Sequence, residues 1–108
     1  MSLDFGLKCK CCNSYLMSYN ITHNLNTMAD KCGLYEVLWQ PDENGYVKGK
    51  DIIDKLETGL KDLKNRPDYY KQFNSKNGWG VYENFVIFVE NVLNGCKEYP
   101  NFIIEVSR

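Results

Sequence analysis

Apolar and polar positions alternate at the start of the chain, where Leu3, Phe5, Leu7 and Cys9 are separated by Asp4, Gly6 and Lys8. The same period returns in Tyr15, Met17, Tyr19, Ile21 and His23, interleaved with Leu16, Ser18, Asn20 and Thr22. A period of two lays alternate side chains on one face of an extended chain, so both segments are predicted strands. Lys10 to Ser14 between them is short enough to turn an antiparallel hairpin.

Beyond Asn24 the spacing changes to three and four. Leu25, Met28, Ala29 and Cys32 share one helical face, with Asn24 or Thr22 available to cap it and Gly33 to stop it in a left-handed conformation. Leu34 to Trp39 adds a helical turn before Gln40-Pro41-Asp42-Glu43-Asn44-Gly45, whose Pro and Asn-Gly mark a surface loop. Ile52, Ile53, Leu56, Leu60 and Leu63 predict a helix over Lys50 to Lys64, and Pro67 opens a short one through Phe73. Asn74 to Gly80 breaks the pattern. Val81, Phe85, Val86, Phe88, Val89, Val92, Leu93 and Cys96 then resume it. Phe85 to Val89 alone would suit a buried strand, but the length of the run favours a helix, ended by Pro100. Phe102 to Val106 reads as a closing strand. A hairpin, then helices, then a strand predicts an α+β fold. The hairpin and the C-terminal strand form a small sheet with three to four helices on one face, in a single domain over residues 1–108.

The 108 residues are 44% hydrophobic and 25% charged with a net charge of -1, an ordinary globular balance. No apolar run approaches the ~20 residues of a membrane span, and Met1 to Lys10 lacks the layout of a secretory signal. The expectation is a soluble, cytoplasmic protein without a membrane partner. Near-neutral charge also argues against a nucleic-acid partner. Lys48 to Lys76 holds eight basic against five acidic residues. That mixed excess reads as a solvated helix face with pairs such as Asp51 with Lys55 and Glu57 with Lys61.

Five cysteines, an odd number, do not form a disulfide framework. Cys32 and Cys96 fall on apolar stripes and read as core. Cys9-Lys10-Cys11-Cys12 places a CxxC at the hairpin tip, half of a zinc site with Cys9 and Cys12 as ligands. An extended strand would carry His23 on the order of 30 Å from that tip at ~3.3 Å per residue, which argues against a closed four-ligand site in one chain. A thioredoxin-like role is weaker, because the motif precedes a strand instead of opening a helix.

His23 is the one histidine, at a strand-to-helix junction among Asn20, Thr22 and Asn24. Imidazole can move protons near neutral pH, while neighbouring amides hydrogen-bond a ligand. The same residue types also serve capping. Trp79, between Gly78 and Gly80 and just before Tyr82 and Glu83, can stack on a planar ligand or plug the edge of the core. If the two junctions share a side, His23, Asn24 and Glu83 would supply catalytic groups, and Asn20, Trp79 and Tyr82 ligand-binding ones. No serine elbow, P-loop, dinucleotide fingerprint or HExxH motif is present.

In Asn20 to Ala29 (NITHNLNTMA), Leu34 to Pro41 (LYEVLWQP) and Asn77 to Glu83 (NGWGVYE), the chain resembles a group of small bacterial and phage-encoded proteins, over roughly Ser18 to Arg108. That group has no established activity, so the resemblance implies no catalytic residue. In some similar proteins the opening hairpin is a CPxCG-type knuckle. Cys9 and Cys12 keep its spacing, while Lys10 and Cys11 replace the middle and Asn13 the glycine.

The leading expectation is a small cytoplasmic binding or accessory protein, phage or prophage encoded, that takes a protein partner or small ligand near the His23 and Trp79 junctions. The alternative is a hydrolase or transferase with His23 as general base, Asn24 orienting and Glu83 assisting, on a nucleotide-like substrate. A zinc-stabilised module is third.

Overall fold

Leu3, Phe5 and Leu7, all fully buried, are the inward-facing residues of β1 (Ser2–Lys8), whose partner β2 (Tyr15–Thr22) contributes the buried Ile21. The computed structural model describes residues 2–9, 15–22, 25–74 and 81–107, with side chains left aside at 2 and 15–18. Helices α1 (Asn26–Lys31), α2 (Tyr35–Leu38), α3 (Ile53–Asn65), α4 (Pro67–Lys71) and α5 (Tyr82–Glu98) follow, and β3 (Ile103–Ser107) closes the chain. The three strands are antiparallel in the order β2-β1-β3. Leu3 stands opposite Ile21, and Phe5 opposite Tyr19 and Val106. Asp4 pairs with Asn20 and Ser107 on the other face, where all three are exposed. One face of the sheet is therefore apolar and covered, the other polar and wet, as the α+β reading requires.

The cover is α5, which packs on β2, β1 and α3. Phe85, Val89, Val92 and Cys96 recur at four, three and four residues and are fully buried, with Phe88 and Leu93 beside them. Each buried Phe, Val or Leu of such a stripe contributes ~1.5–3 kcal/mol, which is why Phe85 to Val89 settles as helix. Leu56, Leu60 and Leu63 form the matching stripe of α3. One continuous apolar cluster joins sheet and helices, and no helix of the described residues is long and apolar enough to cross a membrane.

Several local details depart from the sequence pattern. Thr22 ends β2 instead of capping α1, whose cap position is Leu25 with no side-chain cap bond; Asn24 lies outside the described residues. A 3-10 turn (Gly49–Asp51) precedes α3, so Asp51 does not share a helix face with Lys55. Its carboxylate accepts the Val47 and Lys48 N–H groups at 3.1 and 2.9 Å, which holds it below the usual carboxylate range. Lys55 pairs with Glu36 at 3.3 Å and Glu57 with Lys97 at 3.9 Å, so these charges join neighbouring elements. Gly33 and Gly45 do adopt left-handed φ of 80° and 82°, as a helix stop and a loop turn need.

The segment before α3 also seals one sheet edge. Ile104 donates its N–H to the Val47 carbonyl at 2.8 Å, Lys48 bridges Ile103, and the Gly49 N–H reaches the Phe102 carbonyl at 3.0 Å. β2, at the opposite edge, has β1 as its only strand neighbour among the described residues.

Gly59 lets α3 approach the buried Leu34, since a Cβ there would stand 2.5 Å from Leu34 Cγ. Alanine gains ~1 kcal/mol in helix propensity but overpacks the core at a cost of ~1–3 kcal/mol. Gly59→Ala should therefore lower stability in urea unfolding, and adding Leu34→Val should recover part of the loss. A stabilised single variant would refute this packing.

Candidate binding cleft

A cleft of about 370 Å³ opens between the end of β2 and one flank of α5. β2 supplies Tyr19, Asn20, Ile21 and Thr22, and Leu25 follows just before α1. From α5 come Asn84, Ile87, Phe88 and Asn91, spaced three, one and three residues apart on one helical stripe. Ile87 is 56% exposed, a large apolar side chain left in solvent. The described lining has no Asp, Glu, Lys or Arg. It offers amides, hydroxyls and apolar surface, a set able to hydrogen-bond an uncharged group.

The residues singled out by sequence divide between places. Asn20 lines this cleft and donates from Nδ2 to Asp4 Oδ1 at 2.6 Å across the outer face of the sheet. Thr22 and Leu25, which bracket His23 and Asn24 in the chain, line it too. His23, Asn24 and Trp79 lie outside the described residues. Tyr82 and Glu83 face the α3–α4 side. The Tyr82 hydroxyl donates to the Leu63 carbonyl at 2.6 Å, one of the carbonyls left over at the end of α3. Its backbone N–H donates to Asn74 Oδ1 at 2.8 Å, which satisfies a leftover amide at the start of α5. Burial raises the Tyr82 hydroxyl's pKa. Glu83 pairs with Lys71 at 3.7 Å. Neither Tyr82 nor Glu83 lines the cleft.

Cys9 is a half-buried free thiol at the end of β1, and Cys12 lies outside the described residues. Among the described residues no group of three or more His, Cys, Asp or Glu stands together to hold a metal. Cys96 is fully buried and Cys32 half-buried, and desolvation pushes both thiols up to about 12.

A second polar cluster ties α3 to α4. Arg66 donates from Nε and Nη2 to the two oxygens of Asp62 at 3.0 and 2.6 Å, and the Tyr70 hydroxyl also donates to Asp62. The guanidinium lies 4.7 Å from the Tyr69 ring centroid. Arg66 first, and Tyr70 second, hold the Asp62 carboxyl below its ordinary range. Both Asp62 oxygens, Arg66 Nε and Nη2 and the Tyr70 hydroxyl are engaged with one another, so we assign the cluster to structure.

The cleft residues Ile21, Asn84, Ile87 and Asn91 were not anticipated from sequence. The available signal was Ile87, an apolar residue off the buried stripe of α5 with Asn three before and four after it. No protein-family model, curated protein or solved structure matches the chain. The class of the molecule therefore rests on its own geometry, a small α+β domain with a neutral cleft at one sheet edge.

Two outcomes follow. Tyr82→Phe leaves the Leu63 carbonyl without its donor and should lower stability by ~1–3 kcal/mol in urea unfolding; an unchanged midpoint would show that the hydroxyl is not needed there. Cys32 and Cys96 should resist alkylation at pH 8 in the folded protein and react only in denaturant. Because their folded pKa lies above the ordinary value of 9.0, the stability they confer is complete below about pH 9 and is lost as pH rises toward 12. Rapid native alkylation of either thiol, read by peptide mass, would contradict this.

Proposed function

We propose that the protein is a small binding or accessory protein whose uncharged ligand or partner segment enters the β2–α5 cleft, beside the junction that carries His23. The observation that supports this most is the lining. Asn84 and Asn91 flank the exposed Ile87 along α5, Tyr19 to Thr22 of β2 form the other wall, and no charged side chain lines the cleft among the described residues. Such a surface discriminates by hydrogen-bond pattern and shape, and a charged ligand would lose hydration there without gaining a counter-charge. The free thiols of Cys9, Cys32 and Cys96 suit a reducing compartment, so the cytoplasm is the setting we propose. The hydrolase or transferase reading draws on Glu83, which is engaged with Lys71 away from the cleft, so binding is the reading carried forward.

A fragment titration followed by amide resonances tests it. Neutral hydrogen-bonding fragments should shift Tyr19 to Thr22 and Asn84 to Asn91, carboxylate and phosphate fragments should not, and Ile87→Lys should abolish the shifts without lowering the melting temperature. Shifts confined to other residues, or a preference for anions, would reject the proposal.

A further inference from the structure

We propose that Asn44 is a site of spontaneous covalent modification, whose side-chain amide is hydrolysed through a cyclic imide formed with the Gly45 nitrogen, and that this releases the turn Asn44 fastens. Nothing in it depends on what the cleft binds. Three observations carry it.

The first is position. Asn44-Gly45 and Asn94-Gly95 are the two Asn-Gly pairs among the described residues, and Asn77-Gly78 lies outside them. A glycine after asparagine leaves its nitrogen without a Cβ to crowd the approach to the side-chain carbon. The two pairs sit in opposite settings. Asn44 and Gly45 are both exposed, in the loop between α2 and α3. Asn94 and Gly95 lie inside α5, where Gly95 is buried and a helical N–H is held by the carbonyl four residues before it.

The second is the state of the attacking nitrogen. The Pro41 carbonyl accepts the N–H groups of Asn44 and Tyr46 at 3.2 and 2.9 Å, while Gly45 between them donates to nothing among the described residues. Its N–H is open to hydroxide. Once that proton is removed, the Gly45 nitrogen attacks Asn44 Cγ. An N–Cγ bond forms, the Cγ–Nδ2 bond breaks, and the amide nitrogen leaves as ammonia with a proton from water, which regenerates hydroxide. Water then opens the ring at either carbonyl. Opening at Cγ gives aspartate, and opening at the backbone carbonyl gives isoaspartate, whose chain runs through the side chain and is longer by one carbon. One water is consumed and one ammonia released, with no oxidant or reductant.

The third is what the amide holds. Asn44 Nδ2 donates to the Gln40 carbonyl at 2.8 Å and to the Glu36 carbonyl of α2 at 3.4 Å. Both bonds are exposed, so water replaces them when the amide turns toward the Gly45 nitrogen. The change is then irreversible. A carboxylate accepts and cannot donate, so both carbonyls lose their donor. Isoaspartate also lengthens the backbone spanned by the Tyr46 to Pro41 bond.

The test incubates the full chain, folded and in denaturant, from neutral to mildly alkaline pH, and locates converted residues by peptide fragmentation. In the folded chain Asn44 should convert at least tenfold faster than Asn94, whose following nitrogen the helix holds, and the two rates should converge in denaturant. The Asn44 rate should rise in proportion to hydroxide, with isoaspartate among the products. Gly45→Ala should slow conversion at least tenfold, although alanine at a positive φ is strained. Asn44→Asp should speed exchange of the Tyr46 amide. Survival of Asn44 in the folded chain, with conversion only in denaturant, would overturn the proposal by showing that Gln40 and Glu36 keep the amide out of reach. Equal rates at Asn44 and Asn94 in the folded chain would also overturn it. Unchanged Tyr46 exchange in Asn44→Asp would overturn the release of the turn.

Discussion

Burial of α5 against both the sheet and α3 is the constraint on which the rest of the molecule depends. The inner face of the sheet presents Leu3, Phe5, Leu7 and Ile21, and the helix that covers it also supplies the partner surface for Leu56, Leu60 and Leu63. Its position is fixed at both ends. Asn74 and the Tyr82 hydroxyl hold the first turn against α4 and the end of α3. Beyond the last turn, the 3-10 segment binds the Pro100 and Phe102 carbonyls through the Lys50 and Gly49 N–H groups at 2.9 and 3.0 Å. A Cβ at Gly49 would stand 3.2 Å from the Tyr99 carbonyl, so any side chain there would push that carbonyl back by a few tenths of an ångström. With the axis held in this way, the flank carrying Asn84, Ile87 and Asn91 must lie along β2. The cleft is thus a consequence of how the core is closed.

The elements with a sustained period were legible in the chain. β1 alternates cleanly because one of its faces is solvated, and α3 keeps Ile53, Leu56, Leu60 and Leu63 in register while lysines and acids fill most of the rest. α5 was legible through its length, although Phe85 to Val89 is locally ambiguous. What could not be read was whatever depends on distant segments meeting. Nothing local says that β1 takes the middle of the sheet, nor that Lys55 and Glu57 find partners on α2 and α5 instead of one turn away on their own helix. Asp51 looked like a helix-face charge because its role, accepting two N–H groups before the helix begins, is set by the 3-10 turn.

The site was half legible for the same reason. Asn20 stood out as an amide at a strand end and does line the cleft, whereas Tyr82 and Glu83 drew attention by their chemistry and are engaged in anchoring α5. The opposite wall escaped notice because asparagine on a helix surface is unremarkable until a strand edge is placed beside it. Ile87 is the exception, an apolar residue that stands off the buried stripe of α5 and could be seen to do so from spacing alone.

The distribution of charge divides the surface by task. The surface ion pairs Lys55–Glu36, Lys64–Glu90, Arg66–Asp62, Lys71–Glu83 and Lys97–Glu57 all lie among the helices, and Lys8–Glu105 joins β1 to β3. Exposed pairs of this kind add little stability each, but they make the helical side a poor place for apolar contact and favour one set of helix neighbours over others. The β2 edge and the facing flank of α5 carry no such pairs among the described residues. Under the proposed binding role, recognition there would depend on short-range hydrogen bonding and apolar contact, which salt screens weakly. The helix that closes the core thereby also separates an ion-paired side of the surface from one without charged pairs among the described residues.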